Sequence, residues 1–355
     1  MKLLIDARTV RTGRTGVGNY AAEFVRALDA ADFPGDLHVL SLKPECIGEL
    51  KRAVVVPVRT DYESHPAGEW FMQVRIPALL RDAGFDAFWG PAFLAPWWRT
   101  RAKRLVTVHD IAAFTHPECY PKRFAKYIRT VTRLALRSGA HIVALSDFVR
   151  EQILEKFGIP GERITTIHPG VSPFFSPGEA PANVPQPYLL AIGAGAPRKN
   201  DEWLLRLWET VKTRHPEHRL VLVGQHEHTE APSGIIRLPH QSREKLRELY
   251  RGAALFLFPS VAEGFGLPTV EAMACGCPVA AANAGALPEV GGDAALYFSL
   301  TDTQRAAEKI TGVLRNPDEL ASMREKGLAR AACFTWENAA AEMITLLKRI
   351  VVHHG

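Results

Sequence analysis

Short apolar runs alternate with amphipathic, alanine-rich segments along the whole chain. In the first half, residues 2–6, 37–41, 54–58, 86–89, 104–108 and 141–145 read as strands. The stretches 17–30, 69–83, 122–138 and 147–157 between them carry apolar residues at helical spacing. The strand runs are almost continuously apolar, as a parallel sheet covered by helices on both faces requires. The segment from Ile164 to Ile167 closes this first series.

Between Pro169 and Pro187 prolines recur every few residues, so neither a helix nor a central strand can continue. A second series begins at Tyr188, with strands expected at YLLAIG, RLVLVG (219–224), IIRL (235–238) and ALFLFPS (254–260). Its helices are expected near 200–214, 242–252 and 268–276, and an amphipathic helix follows from Phe334. This alternation predicts an α/β protein of two Rossmann-like domains. The expected boundaries are 1–170, a linker at 171–187, 188–333, and a C-terminal helix at 334–355 that returns to the first domain. Internal repeats and low-complexity tracts are absent.

A length of 355 residues, 47% hydrophobic and 23% charged, suits two globular domains. No stretch approaches the roughly 18 to 20 apolar residues of a membrane span, and the N-terminus lacks the pattern of a secretory signal. A soluble, cytoplasmic protein is expected. The five cysteines are scattered and the histidines form no H-x-x-x-H pattern, so no disulfide framework, metal or cofactor is expected.

The net charge of +5 lies in the first half, where residues 1–180 hold 24 Lys+Arg against 19 Asp+Glu. Arg99, Arg101, Lys103 and Arg104 follow Trp97 and Trp98, and Lys122, Arg123, Lys126, Arg129, Arg133 and Arg137 recur along one expected helix. Such a stripe suits an anionic lipid surface or a diphosphate-bearing acceptor, and equally an ordinary solvated helix face. Nucleic acid is disfavoured, because zinc-finger spacing, an RNP-like motif and long basic runs are all missing.

The most informative chemistry lies in residues 259–290. A strand ends at Ser260, a glycine-bearing loop carries Glu263 to Gly266, and Pro268 opens a helix holding Glu271. Loop amides and a helix N-terminus at the carboxyl edge of a parallel sheet suit a phosphate. Two carboxylates beside such a seat suit sugar hydroxyls, which donate charge-assisted hydrogen bonds to them. Upstream, AIGAGAPRKN (191–200) brings Arg198 and Lys199 to a strand end, where cations would neutralise a diphosphate leaving group.

In these segments the chain resembles glycosyltransferase family 4, the group 1 glycosyltransferases of the GT-B fold. Glu263 and Glu271 match the family's E-x7-E signature, within EGFGLPTVEAMACGCPV. The resemblance implies that Glu263 faces the donor sugar, Glu271 holds the ribose hydroxyls, and the amides of Phe265, Gly266 and Leu267 meet the diphosphate. Arg198 and Lys199 fall on the variant G-x-x-x-P-R-K-N and are implied as diphosphate anchors, although Ala194 stands where many relatives carry an arginine.

Softer matches extend through the rest of the chain. In RTGRTGVGNY, Gly13, Gly16 and Gly18 follow G-x-x-G-x-G rather than the dinucleotide pattern, and no acidic residue ends the second strand. A nicotinamide enzyme is thereby disfavoured; by resemblance, Gly16 lets the backbone approach the donor phosphate. His109, in VTVHD, corresponds to a strand-end histidine on the donor sugar. The segments ALSDFVREQI and IHPGVSPFFSP match the family's cleft floor and linker, and the backbone of Leu238, Pro239 and His240 corresponds to its base-reading stretch.

The implied activity is retaining hexosyl transfer from a nucleotide-diphosphate sugar bound between the domains to a glycan or lipid-linked acceptor in surface-polysaccharide synthesis. GDP-mannose is the expected donor, on the P-R-K-N variant and the HD pair. The alternatives are a sugar-nucleotide epimerase of the same architecture and a non-catalytic sugar-nucleotide or glycan-binding protein.

Overall fold

The computed structural model describes residues 1–11, 16–61, 67–98, 100–180, 184–224, 229–231 and 234–352. Gly13, Arg99, His353 and His354 lie outside the described residues. The chain divides into two compact units. One comprises Met1–Pro117, Pro121–Gly170 and Thr335–Gly355, and the other Glu118–Tyr120 and Val171–Phe334.

The first unit is built on a seven-stranded sheet: β1 (Lys2–Asp6), β2 (Asp36–Ser41), β3 (Val54–Pro57), β4 (Ala87–Gly90), β5 (Lys103–Val108), β6 (His141–Ala144) and β7 (Ile164–Thr166). All pairings are parallel, in the order β3-β2-β1-β4-β5-β6-β7. The order reverses beside β1, so the carboxyl ends of β1 and β4 flank the crevice where doubly wound sheets hold ligands. One core packs Phe88, Val106 and Ile142 of the strands against Met72, Ile76 and Leu136 of the helices. The 69–83 stretch is not one regular helix: an α-helix at Ala67–Trp70 passes through a π-helical turn, Phe71–Arg75, into Ile76–Asp82. Pro77 is the cause, since it has no N–H to give to the preceding turn.

The helix Trp336–Val352 packs within this first unit against Gly16–Ala30. Trp336 meets Tyr20 and Phe24 edge-on, with ring centroids 5.8 and 5.7 Å apart. Gly170 makes the approach feasible, because a Cβ there would collide with the Trp336 backbone nitrogen.

The second unit repeats the plan with β8 (Tyr188–Ala194), β9 (Arg219–Gly224), β10 (Thr229–Ala231), β11 (Ile235–Leu238), β12 (Leu255–Phe258), β13 (Val279–Ala282) and β14 (Ala295–Phe298). Their order is β10-β11-β9-β8-β12-β13-β14, parallel except for the antiparallel edge strand β10. Phe256 and Phe258 are fully buried, each contributing on the order of 2 to 3 kcal/mol relative to exposure, and they fix the strand whose end leads into the glycine-bearing loop. Trp203 stacks on Phe298, centroids 5.0 Å apart, tying the helix Asp201–Arg214 to β14. β13, β14 and the helices Thr303–Leu314 and Pro317–Ala331 went unread in the sequence. No helix among the described residues is long and apolar enough to cross a membrane.

Candidate functional site

In the second sheet the strand order reverses at β8, whose neighbours are β9 and β12. The segments leaving the carboxyl ends of β8 and β12 are therefore brought side by side. Near the end of β8 Gly193 has φ 87°, and just beyond it Gly195 has φ 90°, a conformation only glycine adopts cheaply. A 3-10 turn, Pro197–Lys199, then leads into the helix Asp201–Arg214, and Asp201 Oδ2 accepts from the Gly195 amide at 2.6 Å. The turn aims both cations at the β12 segment.

Lys199 Nζ lies 2.6 Å from Glu263 Oε1, and Arg198 Nη1 lies 3.6 Å from Glu263 Oε2. Arg198 also donates to the Ala262 carbonyl at 3.2 Å, while its own carbonyl accepts from the Val261 amide at 3.0 Å. Lys199 Nζ sits 4.3 Å from the centre of the Phe258 ring, so its charge is held by a π face as well as by a carboxylate. Ser260 Oγ, completely buried, is within reach of three acceptors but has one proton to give. The 2.7 Å contact to Glu263 Oε1 is the shortest of them and is charge-assisted.

Glu263 is 8% exposed, and burial alone would raise its pKa. The charges of Lys199 and Arg198, with hydrogen bonds from Lys199 and Ser260, outweigh that cost and hold it below the ordinary carboxylate value. Glu263 is thus ionised at neutral pH. Two cations thus converge on one buried carboxylate at the carboxyl edge of the sheet, beside the loop that leads to the helix Leu267–Ala274.

The loop following Glu263 is shaped by Gly266, at φ 89°, where a Cβ would fall 2.6 Å from Leu287 Cδ2. Gly266 caps the helix Leu267–Ala274, and Phe265 is buried edge-on against Phe334. Glu271, on that helix, accepts a hydrogen bond from Tyr250 Oη at 3.3 Å. Burial, then the Glu271 charge, push the Tyr250 pKa well above its ordinary value, so the phenol remains a donor. Leu238, half-buried, ends β11, with Pro239 and His240 exposed beyond it. They lie on the same carboxyl edge, two strands from β8.

In the first unit His109 follows β5 and is buried. Its Nε2 lies 2.7 Å from the Pro91 carbonyl, which can only accept, so Nε2 carries the proton and Nδ1 is left as an acceptor. Burial lowers its pKa, partly offset by the Pro91 hydrogen bond and the Asp110 charge. The ring is held edge-on by Tyr20 at 4.8 Å and tilted against Phe93 at 5.3 Å. Phe93 has φ 60°, an uncommon conformation for a bulky side chain. Gly16 opens the helix Gly16–Ala30 and is exposed; a Cβ there would meet nothing within 4 Å, so packing among the described residues does not compel a glycine.

Sequence reasoning missed Ser260, Tyr250, Gly193 and Phe93. Ser260 stands three residues before Glu263 and could have been found from that spacing, whereas Tyr250 carries no local signal. It also missed a buried ion pair at the end of β1, where Arg8 Nε and Nη2 meet Asp6 at 2.7 and 2.9 Å. Among the described residues, one group of side chains has the donor set and spacing to hold a metal: His215, Glu217 and His218. It precedes β9, at the edge of the sheet opposite to Lys199 and Glu263.

Two family profiles cover the chain. "Glycosyl transferases group 1" matches residues 175–330, and "Glycosyltransferase Family 4" matches residues 14–173. The O-antigen chain mannosyltransferase B of Escherichia coli is 30% identical, over 98% of this chain and 100% of its own length. An O-antigen chain mannosyltransferase of Salmonella typhimurium is 27% identical over 61% of this chain and 62% of its own. Among solved structures, sucrose-phosphate synthase from Thermosynechococcus elongatus superposes with a TM-score of 0.77 at 18% identity, covering 99% of each chain. Both units therefore have the fold of known glycosyltransferases.

Proposed function

The chain belongs to the group 1 glycosyltransferases of family 4, and from that membership we propose that it transfers mannose from GDP-mannose, with retention, to a glycan or lipid-linked acceptor of a surface polysaccharide. The observation that carries this reading is the buried Glu263 held between Lys199, Arg198 and Ser260 at the crossover of β8 and β12. The names of two relatives, both O-antigen mannosyltransferases, support the choice of sugar.

In the proposed reaction the acceptor hydroxyl attacks the anomeric carbon on the face from which the diphosphate departs. The bond from that carbon to the phosphate oxygen breaks, the new glycosidic bond forms, and the leaving phosphate takes the hydroxyl proton. Lys199, Arg198 and the amides of Phe265, Gly266 and Leu267 stabilise the charge that develops on the phosphate. Glu263 orients the hexose, with His109 of the first unit assigned to the same task in the donor complex. Glu271 takes the ribose hydroxyls, and backbone from Leu238 to His240 reads the base. Gly16 admits the phosphate to the loop after β1.

Because a cationic pair already serves the diphosphate, transfer is proposed to proceed without an added metal. The helix Lys122–Arg137, which exposes Lys122, Arg123, Lys126, Arg133 and Arg137 beside Phe124, is proposed to rest on an anionic membrane surface that presents the acceptor.

A thermal-shift series with GDP-, UDP-, ADP- and CMP-sugars tests the donor, since a ligand of the native state raises apparent stability with saturation. GDP-mannose should give the largest shift. Proton NMR of the product should then report an α-linkage from the α-donor. A β-linked product would overturn retention, and conversion of the donor sugar without an acceptor would replace transfer with epimerisation.

A further inference from the structure

We propose that His215, Glu217 and His218 form a binding site for a divalent transition-metal ion of the zinc class, separate from the transfer site. The helix Asp201–Arg214 ends at His215, Pro216 prevents its continuation, and β9 begins at Arg219. The turn H-P-E-H therefore folds two imidazoles and a carboxylate onto one another. Both histidines are buried, while Glu217 is exposed and leaves a path of entry.

The geometry has an internal conflict that a cation resolves. His215 Nε2 lies 3.3 Å from the Thr311 carbonyl, and a carbonyl can only accept, so the ring proton belongs on Nε2. In the neutral ring His215 Nδ1 then presents a lone pair to Glu217 Oε1, itself an acceptor, 3.2 Å away, a mismatch that a second ring proton or a metal ion relieves. His218 Nδ1 lies 2.8 Å from the same oxygen, and the two rings meet edge-on at 5.2 Å. A metal ion accepts electron pairs from all three groups at once. Donors about 2.0 to 2.2 Å from a tetrahedral zinc stand about 3.3 Å apart. Those of the three residues here all lie within 4.8 Å of one another, so small side-chain rotations complete the set.

The Thr311 carbonyl supplies the outer partner that metal-bound histidines require, fixing the tautomer through the nitrogen not used for the metal. One carboxylate and two imidazoles select ions such as Zn2+ or Cu2+, because Mg2+ and Ca2+ need several oxygens. The neighbouring Arg214 guanidinium is turned to Thr311 Oγ1 at 3.3 Å. A bound ion would link the turn between the helix Asp201–Arg214 and β9, residues 215–218, to the helix Thr303–Leu314, which carries Thr311. Its effect falls on stability, since the site lies at the amino edge of a sheet whose carboxyl edge holds Lys199 and Glu263.

The full chain with His353 and His354 replaced by Asn, freed of metal by chelation, is titrated with Zn2+, Co2+ and Mg2+. Zn2+ should bind once per chain and raise Tm, Co2+ should develop visible d–d absorption, and Mg2+ should do neither. H218Q and E217Q should each weaken Zn2+ binding by at least about tenfold, the lower end of what loss of even an outer partner costs. E217Q alters an exposed side chain and leaves the fold intact, so it decides the matter if H218Q does not fold. Unchanged Zn2+ affinity in E217Q and any folded H218Q, or no Tm shift in the parent, would overturn the proposal.

Discussion

Lys199 Nζ and Glu263 Oε1, 64 positions apart in the chain, stand 2.6 Å from one another at the crossover of the second sheet. The contact gives each residue two duties. Glu263 neutralises the lysine, and Lys199 keeps ionised a carboxylate that burial would otherwise protonate. Arg198 stands on the far oxygen of the same carboxylate, so in the proposed donor complex the diphosphate would share two cations with Glu263.

The first prediction separates those duties. Lys199→Ala strands a buried carboxylate and should destabilise the chain by about 3 kcal/mol, as breaking buried pairs does. Glu263→Gln in the same chain removes the stranded charge and should recover a good part of that loss, though transfer should stay low because the proposed diphosphate anchor is gone. Urea unfolding of the two single variants and the double variant measures the coupling. Additive losses would mean that the pair is not energetically linked in the folded protein.

Ser260→Ala offers a test by pH. The folded-state pKa of Glu263 lies below its ordinary value of 4.5, so its contribution to stability is complete above 4.5 and lost as pH falls through the folded value. The Ser260 hydrogen bond helps to hold that value down, and a bond to a charged group is worth about 1.5 to 3 kcal/mol. The penalty of S260A should therefore be largest at neutral pH and shrink below 4.5. A pH-independent penalty in denaturant titrations would mean that the hydroxyl stabilises something other than the carboxylate.

The parts of this site that were legible in the sequence are those whose chemistry is local. A run such as RLVLVG must be a covered strand wherever it sits, and Pro268 after Gly266 marks a helix start without knowledge of the neighbours. The chain from Val279 to Phe298 hid two strands: VAAA has neither strand alternation nor bulky apolar residues, and only pairing with β12 makes it β13, while the four-residue run ALYF becomes β14 by pairing with β13. The Tyr250 contact with Glu271 depends on how a helix packs, and nothing near either residue announces it. Likewise His215 and His218 are not on a helix; they converge because Pro216 forces a turn between the helix end and β9.

Gly193→Ala tests whether backbone shape seats the lysine. At φ 87° an alanine is strained by about 1 to 2 kcal/mol, and its Cβ would lie 2.9 Å from Lys199 Cε and 3.1 Å from Cγ. Gly276→Ala is the matched control, with φ 76° but only Arg324 atoms nearby, none closer than 3.7 Å. Both variants should lose similar stability. Only G193A should raise the donor KM and lower kcat, and equal kinetics in the two would show that the glycine serves the turn and not the Lys199 seat.

In the first unit, a histidine outside the proposed transfer site sets a separate pH window. His141 Nε2 lies 2.8 Å from Thr165 Oγ1, and burial, then the charges of Arg349 and Arg163, lower its pKa from 6.5 to about 4. The unfolded chain then binds a proton here that the folded chain refuses. Stability from this group is present above pH 6.5 and declines as pH falls toward 4, by about 2 kcal/mol once its partial exposure is allowed for. His141→Asn cannot titrate, so between pH 6.5 and 4 its unfolding free energy should fall less steeply than that of the parent. Equal slopes would place the origin of any acid sensitivity elsewhere. Arg349→Gln should act in the intermediate sense, since it removes one of the two cations that oppose protonation and so moves the lower end of the window upward.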